Sequence, residues 1–272
     1  MTLPNDAERA GTATAELVKL MARLRVDCPW DRKQTLRDLA GYLLEESHEA
    51  LEALRNEDLE DLEGELGDLL FQIVFLACLG AEKGAFTFES VARRIHAKLV
   101  ARHPHVFGES QVDDAAGVKV QWEELKRKER AARGAASPFD GLPRSLPALL
   151  TAARLTSRAA DLGFDWERDE DVVAKLDEEV AEFRVEALRP VPSKDRIAEE
   201  VGDILFTVVN VARRLQIDPE DALARTNAKF RRRFESVSAR VEAEGRRVRD
   251  TPLAELDAHW DAVKADEKGP PD

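Results

Sequence analysis

The sequence predicts an all-α protein made of two tandem helical bundles. Apolar residues recur at helical spacing along nearly all of the 272 residues, and no segment shows the alternation of apolar and polar residues that is typical of a strand. One acidic pattern occurs twice, once in each half of the chain. The length is enough for two ordinary domains, so the repeated pattern indicates that each half folds as a bundle of its own.

The helices predicted in the first half share apolar residues three or four positions apart. We expect, in chain order, a short helix through residues 17–24, a break at 28–31, helices over 36–54 and 59–78, a helix that holds Val91, Ile95 and Leu99, a loop at 103–108 and a charged helix over 117–133. Asn56 is the predicted N-cap of the third helix, and Thr87 that of the fourth.

The second half repeats this arrangement after a segment rich in Gly, Pro and Ser. Residues 134–144 are the predicted linker, so we expect domains at 1–133 and 145–272. Ser193 is predicted to cap one helix, and the pair Asp218-Pro219 to begin another. The predicted helices cover 145–161, 172–188, a segment after Ser193 that carries Glu200 and Asp203, 219 to about 244 and a last segment after Thr251-Pro252.

Composition excludes several classes of protein. A formal net charge of −13 does not suit a protein that binds nucleic-acid polymers, which usually needs a basic surface. Cys28 and Cys78 have no nearby cysteine partner, which predicts free thiols in a reducing cytoplasm. The start of the chain, 1–6, lacks a signal-peptide pattern, and the apolar run Leu69–Leu79 is too short to span a bilayer. We therefore expect a cytoplasmic protein with no membrane partner.

The repeated pattern, here called the acidic cassette, consists of two carboxylates three residues apart followed by a second such pair. Residues three apart share a helix face, so two antiparallel helices would direct four carboxylates at one place. Such a cluster repels itself unless a cation neutralises it, and oxygen ligands suit Mg²⁺ or Mn²⁺ beside substrate phosphates. The predicted metal ligands are Glu46, Glu49, Glu65 and Asp68 in the first cassette, and Glu179, Glu182, Glu200 and Asp203 in the second.

A single Glu-x-x-Glu on a helix is usually a solvated surface, but two features favour function here. The second pair of each cassette precedes an apolar run, Leu69–Leu79 or Ile204–Ala212, so we expect these carboxylates to be partly buried. Gly67 and Gly202 lie inside those pairs at a cost in helix stability, which indicates close approach of a helix or a ligand. The apolar runs look longer than one small bundle can bury, which predicts a homodimer.

Cations and aromatic residues accompany each cassette. Two pairs spaced four apart, Lys98 with Arg102 and Lys229 with Arg233, each share a helix face and suit polyphosphate oxygens, although an ordinary basic surface gives the same pattern. Trp30 and Trp166 each precede a cassette. An indole there either stacks on a nucleobase or anchors the core, and the sequence leaves both interpretations open.

Two further classes remain as alternatives. Glu45-x-x-His48 is the motif of a di-iron carboxylate bundle, but that class needs the motif on two helices, and the only histidine of the second half is His259. A non-catalytic acidic scaffold that binds nucleotide or a partner protein is the other. The intact cassettes in both halves favour an enzyme that uses electrostatic stabilisation of phosphoryl transfer.

The chain resembles the MazG family of nucleoside triphosphate pyrophosphohydrolases over nearly its whole length. The matching segments are 28–35 (CPWDRKQT), 44–49 (LEESHE), 63–71 (EGELGDLLF), 102–107 (RHPHVF), 143–147 (PRSLP), 163–166 (GFDW), 199–206 (EEVGDILF) and 227–234 (NAKFRRRF). The resemblance implies an all-α NTP pyrophosphatase fold, a homodimer, and Mg²⁺-dependent cleavage of ribo- and deoxynucleoside triphosphates to monophosphate and pyrophosphate.

By position, the resemblance also implies roles for individual residues. The eight cassette carboxylates would be metal ligands. The cation pairs would contact phosphates, and Trp166 would lie on the base side. Seven residues after the last cassette carboxylate, the second half has Asn210 and the first has Phe75. Since Phe75 cannot hydrogen-bond a substrate, we expect the second half to carry the main activity through Glu179, Glu182, Glu200, Asp203, Lys229 and Arg233.

Overall fold

The computed structural model describes residues 4–108, 110, 112, 114–132 and 137–268. Within these residues the secondary structure is helical and contains no strand, which confirms the predicted fold class. The chain divides into two compact units, Met1–Glu129 and Arg130–Asp272, called here the first and second unit. Residues 134–136 of the predicted linker lie outside the described residues, and the domain boundaries predicted from the sequence stay a prediction.

The first half of the chain forms a hairpin of two long helices, α2 and α3, with further helices before and after it. The helices are α1 (Pro4–Asp27), α2 (Leu39–Asn56), α3 (Leu59–Glu82), α4 (Phe88–Arg102), α5 (Pro104–Phe107) and α6 (Ala115–Ala132). A 3-10 turn at Asp31–Lys33 lies between α1 and α2. The most extensive packing in this unit is between α2 and α3, and α1 packs on α3.

The core of the first unit is the place where α1, α2 and α3 meet. Met21 and Phe75 are fully buried there, together with Leu39, Val74 and Leu79. Phe75 therefore points into the core. The position that carries Asn210 in the second unit is thus occupied in the first by a packing residue.

The second half repeats the hairpin with α8 and α9. Its helices are α7 (Ala148–Ala160), α8 (Asp169–Ala187), α9 (Lys194–Arg214), α10 (Pro219–Ala243) and α11 (Leu253–Lys268). Helix α9 packs against both α8 and α7, and α10 against α11. Valines from four helices supply the buried apolar side chains, namely Val172, Val209, Val237, Val241 and Val263.

Helix caps were predicted well where the capping side chain has a local hydrogen bond. Thr87 and Ser90 form a reciprocal capping box at the start of α4. Ser193 accepts from the backbone of Arg196, and Asp218 from that of Asp221. The prediction of Asn56 as an N-cap was wrong. Asn56 is the last residue of α2, and Asp58 caps α3 by accepting from two backbone N–H groups.

Two other elements differ from the sequence prediction. The first helix is not short, because the segment before Leu17 is rich in alanine and glutamate, which favour a helix without needing a buried face. The predicted loop at 103–108 contains the single-turn helix α5. Pro104 stands at its first position, where a missing N–H costs nothing.

Helix α3 is also the most apolar element that the structure describes. By length and composition it could cross a membrane, with a third of its most apolar window (33%) buried inside the chain. A helix at the centre of a soluble bundle has the same character, and Val74, Phe75 and Leu79 place α3 in the core. Cys28 and Cys78 are half-buried free thiols.

Candidate active site

The turn between α2 and α3 sets the register of the first cassette. Glu57 adopts a left-handed conformation (φ 56°) and its N–H bonds back to the end of α2. Asp58 then starts α3. With only two residues in the connection, α3 returns along α2, so carboxylates near the middle of each helix come opposite one another.

The second hairpin reaches the same arrangement by a longer connection. Pro190 and Pro192 follow α8 and do not continue the helix, and Ser193 begins α9. Helix α8 then packs along α9 as α2 packs along α3. The two cassettes therefore stand on equivalent helix pairs in the two units.

In each unit three cassette carboxylates converge. One oxygen from each of Glu46, Glu49 and Glu65 lies within 4.8 Å of the others, and the same holds for Glu179, Glu182 and Glu200. Glu179 is buried at 6% exposure, while Glu49 and Glu182 are exposed to solvent. Each triplet thus has a closed side within the helix pair and an open side toward solvent.

The fourth carboxylates, Asp68 and Asp203, lie at the edge of these clusters. Both are exposed, and neither belongs to the converging triplets. They are still close enough to act through space, because Asp68 helps to raise the pKa of Glu46 and Asp203 that of Glu200. Their predicted role as metal ligands stays a prediction.

Burial and repulsion make both clusters electrostatically costly. Desolvation is the main cause that raises the pKa of Glu46, Glu65 and Glu200, and neighbouring carboxylates raise it further. A hydrogen bond from Gln72 partly offsets this for Glu46. Each cluster is therefore strained whenever all of its carboxylates are ionised and no cation is present.

The chemistry of the clusters fits a divalent metal. One oxygen each of Glu65 and Glu200 is buried with no hydrogen-bond partner among the described residues. A carboxylate oxygen without a partner in an acidic pocket is costly, and a hard cation is the ligand that satisfies it. Three convergent carboxylate oxygens are the donor set that Mg²⁺ or Mn²⁺ takes.

The glycines inside the cassettes do not mark a close contact within the chain. A Cβ built on Gly67 or Gly202 would meet no atom within 4 Å among the described residues. Of the two neighbours expected here, a helix of the described part of the chain is therefore excluded, and a ligand beside these glycines stays a prediction. The space beside both glycines is open, as a site that admits a ligand or a second subunit requires.

The predicted phosphate-binding arginines are engaged with the last helix of their half. Arg102 on α4 binds Glu129 through two N–H groups at 3.0 and 2.6 Å, and its guanidinium lies 5.6 Å from the ring centre of Trp122. Arg233 on α10 repeats this with Glu267 at 2.8 and 2.6 Å and with Trp260 at 5.8 Å.

This repeated Arg–Glu–Trp contact, called here the arginine clasp, fastens α4 to α6 and α10 to α11. Arg233 and Arg232 together lower the pKa of Glu267 to about 2, so the clasp stays ionised at neutral pH. The tryptophan and the glutamate are seven residues apart in both α6 and α11. This spacing is visible in the sequence and could have predicted the repeated contact. Lys98 and Lys229, the other predicted cations, are exposed.

The predicted base-side residues have different surroundings in the two units. Trp166 is 39% exposed and lines an open depression with Lys175 and Asp171. Trp30 is 49% exposed and meets the ring of Tyr42 edge-on, with ring centres 5.8 Å apart. Trp166 therefore stands beside a cation, whereas Trp30 stands beside a second aromatic ring.

Asn210 is half-buried and accepts a hydrogen bond from Arg213 at 2.9 Å. Arg213 in turn binds Asp165, the residue before Trp166. Asn210 is thus linked to the segment that carries Trp166 through one arginine, and its predicted contact with substrate stays a prediction.

Sequence reasoning missed the cations nearest to the second cluster. Lys175 binds Glu178 at 2.7 Å and the cluster residue Glu179 at 2.8 Å, and these contacts raise its pKa. Arg196 lies one turn before Glu200 on α9. Both stand four residues ahead of a cassette glutamate, a spacing that places them on the same helix face. The first unit has Tyr42 and Asp61 at these positions.

A helical unit with convergent carboxylates, repeated in tandem, defines the class of protein. A family model for the MazG nucleotide pyrophosphohydrolase domain matches residues 34–107 and 167–238, which include one acidic cluster each. The chain belongs to the MazG family of nucleotide pyrophosphohydrolases, a family of metal-dependent enzymes.

Two relatives that align with nearly the whole of this chain support this assignment. The nucleoside triphosphate pyrophosphohydrolase of Escherichia coli K12 is 43% identical over 254 residues, covering 92% of this chain and 97% of its own. The nucleoside triphosphate pyrophosphohydrolase/pyrophosphatase MazG of Thermotoga maritima is 39% identical over 260 residues, covering 94% and 98%. A solved mazG-related protein from Thermotoga maritima aligns with 42% of this chain and 98% of its own at 27% identity and a TM-score of 0.37.

Replacing Glu200 by Gln should stabilise the metal-free protein. The pKa of Glu200 is raised in the folded state, so ionising this group costs stability above that pKa, and the cost disappears as the pH falls through it. In EDTA, Glu200→Gln should therefore unfold at a higher temperature than wild type at about pH 8, and this difference should shrink toward about pH 5. Differential scanning fluorimetry measures both.

Asp177→Asn is the matched control, because Asp177 is an exposed residue of α8 and loses the same charge. It should change the unfolding temperature little at either pH. A lower unfolding temperature for Glu200→Gln in EDTA at pH 8 would contradict the electrostatic account of the cluster.

Proposed function

We propose that this protein hydrolyses nucleoside triphosphates, ribo- and deoxy- alike, to the monophosphate and pyrophosphate with Mg²⁺, and that it does so mainly in the second unit. Membership in the MazG family makes the chain a nucleoside triphosphate pyrophosphohydrolase, a hydrolase that acts on an acid anhydride. The choice of Mg²⁺, the breadth of substrates, a role in removing unwanted nucleotides and the assignment to one unit are the finer parts of the proposal.

The convergence of Glu179, Glu182 and Glu200 is the observation that carries the proposal. These residues and Asp203 would hold Mg²⁺ in the second unit, with Mn²⁺ as a substitute. The metal would neutralise phosphate charge and activate a water molecule. Glu182 is the most exposed of the three, so it is suited to take up the proton of that water.

Cations close to the second cluster support substrate binding there. Lys175 is held at the cluster by Glu179, and it also lines the depression at Trp166. The polyphosphate of a nucleotide bound here would meet Lys175 on one side, and the base of that nucleotide would lie toward Trp166. Lys229, Arg233 and Asn210 complete the proposed substrate contacts of the second unit.

The first unit has the carboxylates without these cations. Tyr42 and Asp61 stand in place of Lys175 and Arg196, and Phe75 in place of Asn210. An aspartate one turn before Glu65 repels a triphosphate. We propose that Glu46, Glu49, Glu65 and Asp68 bind a metal, and that Trp30, Lys98 and Arg102 contact substrate more weakly than their counterparts.

A non-catalytic acidic scaffold is the alternative function. Both acidic triplets are intact, and each leaves a buried carboxylate oxygen without a partner in the described part of the chain, as a metal site needs and a simple scaffold does not. We further propose a cytoplasmic location and no membrane or nucleic-acid polymer as partner, in keeping with the net charge of −13.

The reaction can be tested by its products. With Mg²⁺, ATP or a deoxynucleoside triphosphate should give the monophosphate and pyrophosphate. Hydrolysis of the α–β anhydride leaves the α-phosphate on the nucleoside and releases the β- and γ-phosphates together. Phosphorus NMR identifies the products directly, and EDTA should stop the reaction. Formation of a diphosphate and orthophosphate would mean that the assigned chemistry is wrong.

A second copy of the chain is the proposed partner of an apolar stripe on each hairpin. Leu66, Leu70 and Ile73 on α3 are 53%, 37% and 41% exposed. Three residues of α9 at the same offsets from the cassette, Val201, Leu205 and Val208, are 40%, 50% and 43% exposed. Exposed apolar stripes on two helices are typical of an interface between subunits.

Light scattering should therefore give about twice the chain mass of 30.4 kDa at micromolar concentration. Leu205→Glu places a charge in the α9 stripe and should shift the mass toward that of a single chain. The matched control is Leu253→Glu, at a site that is 73% exposed and outside both stripes. A wild-type protein with the mass of one chain would contradict the dimer.

The assignment to the second unit can be tested with amide substitutions, which remove a charge and keep the shape. Glu200→Gln or Asp203→Asn should cut turnover by roughly a hundredfold or more, since charge stabilisation by a metal is worth several kcal/mol. Glu65→Gln or Asp68→Asn should cost less. Turnover is measured at saturating Mg²⁺, with circular dichroism to confirm intact helices. Equal losses would mean that both units work.

A further inference from the structure

Glu186 is a buried carboxylate that the cassette does not include. It stands four residues after Glu182 on α8, so it continues the face that carries Glu179 and Glu182. Its exposure is 6%. The corresponding residue of the first unit, four after Glu49, is Ala53, which is fully buried. The hairpin therefore folds with an apolar residue at this place, and a glutamate here is not needed for packing.

Two arginines that the first unit lacks surround Glu186. Its Oε1 forms an ion pair with Arg189 at 2.7 Å and lies 3.6 Å from a guanidinium nitrogen of Arg196. The first unit has Asn56 and Asp61 at the two arginine positions. The glutamate and both arginines are thus present together in one unit and absent together from the other.

The second oxygen of Glu186 is buried and has no hydrogen-bond partner among the described residues. Glu186 also faces the cluster, since its charge contributes to the raised pKa of Glu200. A buried carboxylate beside three others is costly unless cations offset it. Its free oxygen leaves room for one more N–H donor, and Arg196, already in ion-pair contact, is the more exposed of the two arginines beside it.

Arg196 is well placed to meet an anion at the cluster. It lies one turn before Glu200 on α9, and its side chain is 61% exposed. A guanidinium has five N–H donors in a fixed plane, so one side can be held by a carboxylate while the other binds a phosphate. A flexible arginine without an anchor would lose more entropy on binding.

We propose that Glu186 is a positioning residue that holds Arg196 beside the metal cluster, so that this guanidinium receives the polyphosphate of the metal-bound nucleotide. The proposal rests on the proposed function of the second unit. It assigns Glu186 no contact with substrate or metal. It explains why the second unit alone combines a buried glutamate with two arginines at this end of the hairpin.

A double-mutant cycle tests the coupling. The variants are Glu186→Gln, Arg196→Gln and the two combined, with Asp177→Asn on the opposite face of α8 as the control for loss of one charge. Calorimetry measures the affinity for an α,β-methylene analogue of ATP with Mg²⁺, which does not need turnover. Steady-state kinetics gives kcat and KM for ATP, and Mn²⁺ binding without nucleotide is measured by electron paramagnetic resonance.

We expect Glu186→Gln and Arg196→Gln each to weaken analogue binding and raise KM by about tenfold, as loss of one charge-assisted contact does. The change in kcat should stay below about threefold. The double variant should be no weaker than Arg196→Gln alone, because Glu186 acts through Arg196. Affinity for Mn²⁺ and the behaviour of Asp177→Asn should match wild type.

Several results would overturn the proposal. Wild-type affinity in Glu186→Gln, or losses that multiply in the double variant, would show that Glu186 does not act through Arg196. Loss of Mn²⁺ affinity in Glu186→Gln would place Glu186 among the metal ligands instead. Arg196 is exposed, so Arg196→Gln should fold in any case. Normal analogue binding by that variant overturns the proposal even if Glu186→Gln cannot be purified.

The proposed hydrolase function can be refuted independently of the coupling between Glu186 and Arg196. A wild-type protein that binds the analogue but releases no pyrophosphate from ATP would refute the hydrolase and leave the coupling between Glu186 and Arg196 measurable by binding. A wild-type protein that binds no analogue would refute both.

Discussion

Mutual repulsion among convergent carboxylates is the constraint on which the rest of each unit depends. Three glutamates from two helices place their oxygens within 4.8 Å of one another, and burial raises the pKa of several of them. A hydrophobic hairpin would be more stable without them. Under the proposed function, a divalent cation would convert this repulsion into a binding site. The helix pair and the open space at the cassette glycines keep the cluster accessible in both units.

The two units share one helical scaffold and differ in the charged residues around their carboxylates. Their carboxylates are the same, but the second unit has cations at two positions where the first has a neutral and an acidic residue. The second unit has Lys175 and Arg196 one turn ahead of its glutamates, where the first has Tyr42 and Asp61. A triphosphate brings several negative charges to the metal, so the neighbouring cations decide whether the anion is attracted. This difference in charge is the basis of our proposal that the second unit carries the main activity.

The arginine clasp gives Arg102 and Arg233 a structural contact that their sequence position did not suggest. Each fixes the helix after the cassette to the last helix of its half through a glutamate and a tryptophan. Such a forked contact with an aromatic face favours arginine over lysine. If either guanidinium also binds phosphate, as the family resemblance implies, its glutamate competes with the substrate. The lysines one turn earlier carry no such conflict on the same helices.

The sequence by itself determined the fold class, the repeat and the eight carboxylates of the two cassettes, because helical periodicity and spacing at i and i+3 are local properties that survive folding unchanged. Caps with a local hydrogen bond, such as Thr87 and Ser193, were predictable for the same reason. Local rules failed where two signals competed, as at Asn56, which ends α2 while Asp58 begins α3. Only the tertiary structure decided which carboxylates converge, that Phe75 points into the core, and that Glu186 is buried against Arg189 and Arg196. Those facts depend on which helix faces meet, and contact between residues far apart in the chain is set by packing rather than by local spacing.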